Sequence, residues 1–258
     1  MLDRPADAVA RVSIRNPGKR NALDHEILDG LAEIFPELDD GIETRCVIVT
    51  GSDGMFSAGY DIGGIPDEVF AEEAERLVAH PFSRAIEAVE GFPFPTLAAI
   101  NGHALGGGLE LAMSCDLRVA VHGMKLGMPP GKLGLIYSHT GIQKFLDAVG
   151  AARTRELFLT GRNLDAQRAE AIGLVHDTVS PDALDHETIE LAAEIAGNAP
   201  LSLKGNKHII DKLVSFPRLS REEEQELIDL RLSSFRTHDF REGVRAFGEK
   251  RSPRWEGR

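Results

Sequence analysis

Three stretches of the chain bring together residue types that can do chemistry. In Ile100-Asn101-Gly102-His103-Ala104-Leu105-Gly106-Gly107-Gly108-Leu109-Glu110-Leu111-Ala112, a strand-like run ends at Asn101, glycines follow, and Leu109 to Met113 has high helix propensity. Glycines at a helix start leave unpaired N–H groups pointing outward at the positive end of the helix dipole, which suits an oxyanion or a phosphate. The stretch lacks the Lys-Ser/Thr of the phosphate-binding loop and the spacing of the dinucleotide fingerprint. Glu110, in the first helical turn, reads on its own as a partner of that dipole. Met55-Phe56-Ser57-Ala58-Gly59-Tyr60-Asp61-Ile62 places small residues before Tyr60, where a ligand or another backbone can approach closely. Taken alone, it is a glycine-containing loop. In Leu126-Gly127-Met128-Pro129-Pro130-Gly131-Lys132-Leu133-Gly134-Leu135-Ile136-Tyr137 two adjacent prolines rule out a regular helix and leave a tight, rigid loop. His103 and His139 read as structural or solvent-facing. No Cys/His/Asp cluster has metal-ligand spacing, and no Ser-His-Asp order stands out.

These stretches have to be positioned by regular elements, and the sequence supplies them. Arg11-Val12-Ser13-Ile14-Arg15 alternates polar and apolar, as a strand with one wet face does. Cys46-Val47-Ile48-Val49-Thr50 is a continuous β-branched run ending at Gly51, the pattern of a strand buried on both faces. Thr96 to Ile100 and Leu117 to Val121 are similar. Ile27, Leu31, Ile34 and Phe35 recur at helix spacing between them, as Leu77, Phe82, Ile86 and Val89 do less regularly. Gln143 to Leu159 reads as a helix, and Asp165 caps a short one that stops at Gly173. After Thr178-Val179 the pattern is almost purely helical, with a capping box at Ser220-Arg221-Glu222-Glu223 opening a helix that carries Leu227, Leu230 and Phe235. Strand and helix alternate, which predicts an α/β core over residues 1–190 with parallel pairing, followed by a helical region over 191–258.

Composition sets the outer limits. The chain has 258 residues, 42% apolar and 27% charged, enough for a sizeable core in one large domain or one domain with an appendage. A net charge of −12 argues against broad nucleic-acid or anionic-membrane binding, so an anionic ligand would depend on local cations such as Lys19-Arg20 or Lys250-Arg251. Cys46 and Cys115 sit inside apolar runs and read as buried free thiols. The start has no apolar leader and no window approaches a membrane span, which points to the cytoplasm.

The three stretches occur in this order and at these spacings after Asn16-Pro17-Gly18-Lys19-Arg20-Asn21-Ala22-Leu23, with Phe247-Gly248-Glu249-Lys250-Arg251 near the end. As a set they resemble the crotonase (enoyl-CoA hydratase/isomerase) superfamily from Arg11 to Trp255. The resemblance implies a spiral of repeated ββα units and a helical C-terminal trimerisation region, giving a homotrimer or homohexamer. It implies an acyl-CoA thioester substrate and no cofactor beyond that coenzyme A moiety. The thioester oxygen would be held by the backbone N–H groups of Tyr60 and Gly107, where preorganised donors stabilise an enolate as its charge develops. Lys19, Arg20 and Lys250 would lie near the coenzyme A phosphates, and Ala22, Ala58, Asp61, Ile62 and Gly106 along the bound coenzyme.

One departure from the family pattern stands out. Glu110 falls on the first of the two glutamates that act in hydratases, but the second should directly follow Pro129, where this chain has Pro130. Proline neither gives nor takes a proton, so syn addition of water by two carboxylates lacks one of them. Tyr60 and Tyr137, the only two tyrosines, fall where the acyl group should sit, although a Tyr after an apolar run is often a core residue. Leu133-Gly134-Leu135-Ile136-Tyr137 followed by Gly141-Ile142 is similar to the methylmalonyl-CoA decarboxylase branch, in which a Tyr here is linked with the substrate carboxylate; that branch often has His in place of Tyr60. The resemblance therefore leans toward decarboxylation of a malonyl-type acyl-CoA, with Tyr137 orienting the carboxylate and Glu110 organising water or the returning proton. A hydratase or double-bond isomerase using Glu110 alone stays open, as does a non-catalytic acyl-CoA-binding protein.

Overall fold

The computed structural model describes residues 1–61, 72–73, 75–76, 80–214 and 220–256. Six strands lie side by side in the order β1 (Leu2–Ala6), β2 (Val9–Ile14), β3 (Cys46–Gly51), β4 (Thr96–Ile100), β6 (Leu117–Val121) and β9 (Asp177–Val179). All neighbours pair in parallel except β1, which runs antiparallel to β2. The β-branched runs are buried on both faces as their composition requires, with Val47, Ile48 and Val49 inaccessible to solvent. β2 keeps the alternation read from its sequence: Val12 and Ile14 face the core while Arg11 and Ser13 stay half-buried.

β1 has no sequence signal, because Leu2-Asp3-Arg4-Pro5-Ala6 neither alternates nor carries a β-branched residue. It survives as an edge strand, where a proline removes no ladder bond, and its register breaks between Asp3 and Ala6. A second sheet is equally illegible in sequence. Its strands β5 (Ala104–Leu105), β7 (Lys125–Gly127) and β8 (Leu164–Asp165) are only two or three residues long, too short to show a period. Together the two sheets make the expected spiral. After leaving the large sheet from β4 or β6 the chain adds a short strand, β5 or β7, to the small one, and Ser57 after β3 forms a bridge to Ala104 in the same layer.

Helices fill the remaining layers: α1 (His25–Leu38), α2 (Pro81–Glu90), α3 (Gly107–Met113), α4 (Pro130–Leu133), α5 (His139–Thr160), α6 (Ala166–Ala171), α7 (Leu184–Gly197), α8 (Pro200–Val214), α9 (Arg221–Ser234) and α10 (His238–Gly248). α1 buries Leu28, Leu31, Phe35 and Leu38, and α2 buries Phe82, Ile86 and Val89; Leu77, expected on the same face, lies outside the described residues. Asp165 caps α6 and the Ser220–Glu223 capping box opens α9, both as read. α5 is longer than expected, starting at His139 behind the Ser138 cap and interrupted at Gly150. The stretch expected as a rigid loop folds into α4 instead. Pro130 takes its first position, where the missing N–H would have had no partner, so the proline starts a helix rather than preventing one. Both cysteines are buried free thiols, and burial pushes each up to about 12. Among the described residues no helix is long and apolar enough to cross a membrane.

The last helix is fastened by contacts that exclude side chains. A Cβ on Gly243 of α10 would lie 2.5 Å from the Leu133 carbonyl of α4, and one on Gly134 would lie 2.8 Å from the Asp239 carbonyl. Beyond α10 the chain turns back over it. Glu242 accepts two hydrogen bonds from the Arg251 guanidinium, at 2.6 and 3.0 Å, and one from the Arg254 N–H at 2.8 Å. These donors hold the Glu242 carboxyl down at about 2, against an ordinary 4.5. A depressed carboxyl stabilises the fold above its unfolded value, and that contribution disappears as the pH falls from 4.5 toward 2. Glu242→Gln is therefore expected to lower the melting temperature at neutral pH and to shrink the fall in melting temperature below pH 4.5, read by calorimetry. Parallel pH profiles for the two proteins would contradict this role.

Candidate active site

The geometry follows from how two backbone segments pair. Ser57 and Ala104 are parallel bridge partners, with the Ser57 N–H donating to the His103 carbonyl at 3.1 Å and the Leu105 N–H to the Ser57 carbonyl at 3.0 Å. Three residues further along each segment, Tyr60 comes level with Gly107. On its other side Tyr60 is bridged to Leu23: the Leu23 N–H bonds the Gly59 carbonyl at 2.7 Å and the Asp61 N–H bonds the Leu23 carbonyl at 3.0 Å. In such a ladder the central residue's own N–H points the opposite way, here toward the Gly106–Gly107 turn. Gly59 makes the approach possible, since at φ +92° a Cβ would sit 2.7 Å from the Leu105 carbonyl and 3.3 Å from the Gly107 nitrogen.

Gly107 is the first residue of α3, so its N–H has no intrahelical partner. Gly106 precedes it at φ 53°, ψ −124°, a conformation open to glycine, and spends its own N–H on the Gly127 carbonyl at 2.9 Å. Among the described residues neither the Tyr60 nor the Gly107 N–H donates to a protein acceptor. Two adjacent N–H groups with nothing to bind are what a developing oxyanion requires.

Glu110 stands one helical turn beyond Gly107 and is 3% exposed. The Tyr137 hydroxyl donates to its Oε2 at 2.5 Å, and the Tyr60 and Tyr137 hydroxyl oxygens lie 3.4 Å apart. Because Tyr137 has one proton and gives it to Glu110, Tyr60 is the donor in the second contact. Burial pushes the Glu110 carboxyl up, opposed by the Tyr137 hydrogen bond and the charges of Lys144 and Arg231. Burial and the Glu110 charge push both phenols up, which keeps them protonated. The Tyr137 ring stacks edge-on against Phe158 at 5.5 Å.

Gly141, in the first turn of α5, closes the far side: a Cβ there would come within 2.8 Å of Glu110 Oε1 and 2.7 Å of the Tyr137 ring. Its contribution is bare space, which leaves no mark in sequence beyond a glycine in a helix. Phe82, whose ring meets the Tyr60 ring edge-on at 4.8 Å, was legible only as a core residue.

The remaining candidate residues divide. Lys19, Arg20, Ala22, Ala58 and Asp61 come together in one turn beside Tyr60: Lys19 pairs with Asp61 at 2.5 Å, and the Ala58 N–H bonds the Arg20 carbonyl at 3.1 Å. Ala22 is buried there, whereas Lys19 and Arg20 are exposed. Lys250 is exposed at the end of α10, and no hydrogen bond or ion pair among the described residues ties it to the Lys19 turn. Ile62 lies outside the described residues. Pro130 is buried and offers no polar side chain. His103 is structural, accepting the Lys125 N–H at Nδ1, and His139 lies 3.4 Å from Glu224 at the surface.

Residues 4–258 match the family model described as enoyl-CoA hydratase/isomerase. The mitochondrial enoyl-CoA hydratase domain-containing protein 2 of Bos taurus is 33% identical over 261 residues, covering 99% of this chain and 87% of that protein. Among solved structures, a methylmalonyl-CoA decarboxylase in complex with 2-nitronate-propionyl-CoA superposes with a TM-score of 0.89 at 28% identity, covering 100% of this chain and 98% of that one. An enoyl-CoA hydratase from Bacillus anthracis superposes with a TM-score of 0.76 at 32% identity, covering 100% and 99%.

The buried carboxyl has a measurable signature. Because its folded value lies above the ordinary 4.5, folding favours the neutral form. The contribution of Glu110 to stability is then fully present below 4.5 and is lost as the pH rises through the raised value. Glu110→Gln removes that titration while keeping an acceptor for Tyr137. Its melting temperature is expected to equal or exceed the parent's at pH 8 and to depend less on pH above 4.5. A variant destabilised most at alkaline pH would show the carboxylate to be a net stabiliser.

Proposed function

This chain belongs to the enoyl-CoA hydratase/isomerase family, and on that premise we propose that it decarboxylates a malonyl-type acyl-CoA through a thioester enolate. The observation carrying this reading is that Glu110 is the single carboxylate beside the Tyr60–Tyr137 pair among the described residues: it is bonded to a phenol, Tyr137, and Pro130 stands where a second acid would be needed. Adding water needs one group to activate the water and another to deliver the α-proton, and losing either costs on the order of a hundredfold or more. Decarboxylation needs no base at the α-carbon. The bond from the α-carbon to the carboxylate breaks, CO₂ leaves, and the electron pair flows into the thioester.

Negative charge then grows on the thioester oxygen, in this reading between the N–H groups of Tyr60 and Gly107. Losing one such donor typically costs about 3 kcal/mol of barrier. The raised Glu110 carboxyl suits the rest of the cycle. Once protonated, Glu110 donates to Tyr137, and the Tyr137 proton turns toward the substrate carboxylate. After CO₂ departs, Tyr137 passes that proton to the α-carbon and takes the one from Glu110. Lys19, Arg20 and Lys250 supply the local cations that coenzyme A phosphates need on a chain of net charge −12. The higher TM-score with the decarboxylase, despite its lower identity, supports the same reading.

One observation favours a second reading. A buried carboxyl pushed upward is a stronger base than an ordinary carboxylate, as a double-bond isomerase with Glu110 as its sole base requires. Methylmalonyl-CoA is expected to release CO₂ while crotonyl-CoA hydrates slowly or not at all. Brisk hydration without CO₂ release would reject decarboxylation, and shifting of a 3-enoyl-CoA double bond that Glu110→Gln abolishes would establish the isomerase. Binding of thioesters without any turnover would mark a binding protein.

Self-assembly belongs to this proposal too. Leu201, Ile209, Ile210 and Leu213 of α8 are exposed, and a homotrimer or homohexamer would cover them. Light scattering is expected to give the mass of three or six chains, and a monomer at micromolar concentration would refute it.

A further inference from the structure

Tyr60 has a side chain whose position is independent of what its N–H does. The ring lies against Gly107, so close that a Cβ on that glycine would sit 2.7 Å from Cε1 and 3.0 Å from Cδ1 and Cζ. Phe82 of α2, itself buried, supports the ring edge-on at 4.8 Å with planes 86° apart. At its tip the hydroxyl lies 3.4 Å from that of Tyr137, whose ring is held by Phe158. The ring is thus held at three points, by Gly107 below, Phe82 behind and Tyr137 at the end.

Gly107 and Glu110 are one helical turn apart, about 4.5 Å along the axis at 1.5 Å per residue. A thioester whose oxygen met the Tyr60 and Gly107 N–H groups would direct its α-carbon toward the Glu110–Tyr137 pair. The Tyr60 ring spans the same interval, from Gly107 to Tyr137. On that path carbons further along an unbranched chain would meet it, and the ring cannot turn aside without leaving Phe82 and the Tyr137 hydroxyl.

We propose that the Tyr60 ring, backed by Phe82, is the end wall of the acyl pocket and restricts this protein to thioesters of short acyl groups. The proposal rests on reading the Tyr60 and Gly107 N–H groups as the thioester-oxygen site, but not on which reaction follows.

Binding of saturated acetyl-, butanoyl-, hexanoyl- and octanoyl-CoA, measured by titration calorimetry, tests it without requiring turnover. The native protein is expected to bind the first two and to lose at least tenfold in affinity from butanoyl to octanoyl. In Tyr60→Ala each added methylene should instead gain about fourfold, the worth of a buried CH₂. Tyr60→Phe keeps the ring and should keep the native profile. Tyr60→Leu retains an apolar contact with Phe82, and should extend the limit if the alanine variant fails to fold. Native affinity that already climbs with chain length would overturn the proposal. So would a phenylalanine variant that behaves like alanine, or a leucine variant that behaves like native. Failure to bind any of the thioesters would overturn the thioester-oxygen reading itself.

Discussion

The parallel bridge between Ser57 and Ala104 is the constraint on which the site depends. It joins two successive turns of the spiral, and everything downstream on each strand inherits its register. Small residues let the backbones come this close: a Cβ on Gly59 would strike the Leu105 carbonyl, and one on Gly108 would lie 2.6 Å from the Ser57 side chain. With those contacts in place, Tyr60 and Gly107 fall side by side. Among the described residues their N–H groups have no acceptor, one left over from a ladder and the other from a helix start.

Against this rigid backbone pair stands an electrostatically unfavourable one. A carboxylate in the core is costly unless donors satisfy it, and among the described residues Glu110 is supplied with a single phenol and, at longer range, the charges of Lys144 and Arg231 set against that of Glu90. The arrangement raises the carboxyl without neutralising it permanently. It is the kind of compromise expected where a proton has to change hands. Gly141 contributes by holding space for both partners, and Asp61 of the Lys19–Asp61 pair directly follows Tyr60.

Much of the fold was legible because burial writes itself into composition. The β-branched runs at Cys46–Gly51, Thr96–Ile100 and Leu117–Val121 became interior parallel strands, and the Ser220 capping box opened its helix. What escaped were elements too short or too polar to carry a period, β1 and the three strands of the small sheet. The Ser57–Ala104 bridge joins the site to the small sheet, so the register that sets Tyr60 beside Gly107 could not be counted from local pattern. Pro130 misled for a different reason: proline forbids the middle of a helix and favours its start, and only tertiary context decides which applies. Glu110 and the tyrosines were visible as residues, but their hydrogen-bonded order was not, since it joins α3 to residues 27 and 50 positions away.

In the proposed reading residue 60 is used twice, and the two uses are physically separable. Its peptide group belongs to the main chain and would persist under almost any substitution, while its ring projects into a space of its own. Mutation can therefore explore one property without endangering the other. On that reading, a lineage carrying this scaffold could change its diet of substrates through single codon steps at residue 60, with the two backbone donors passed on intact.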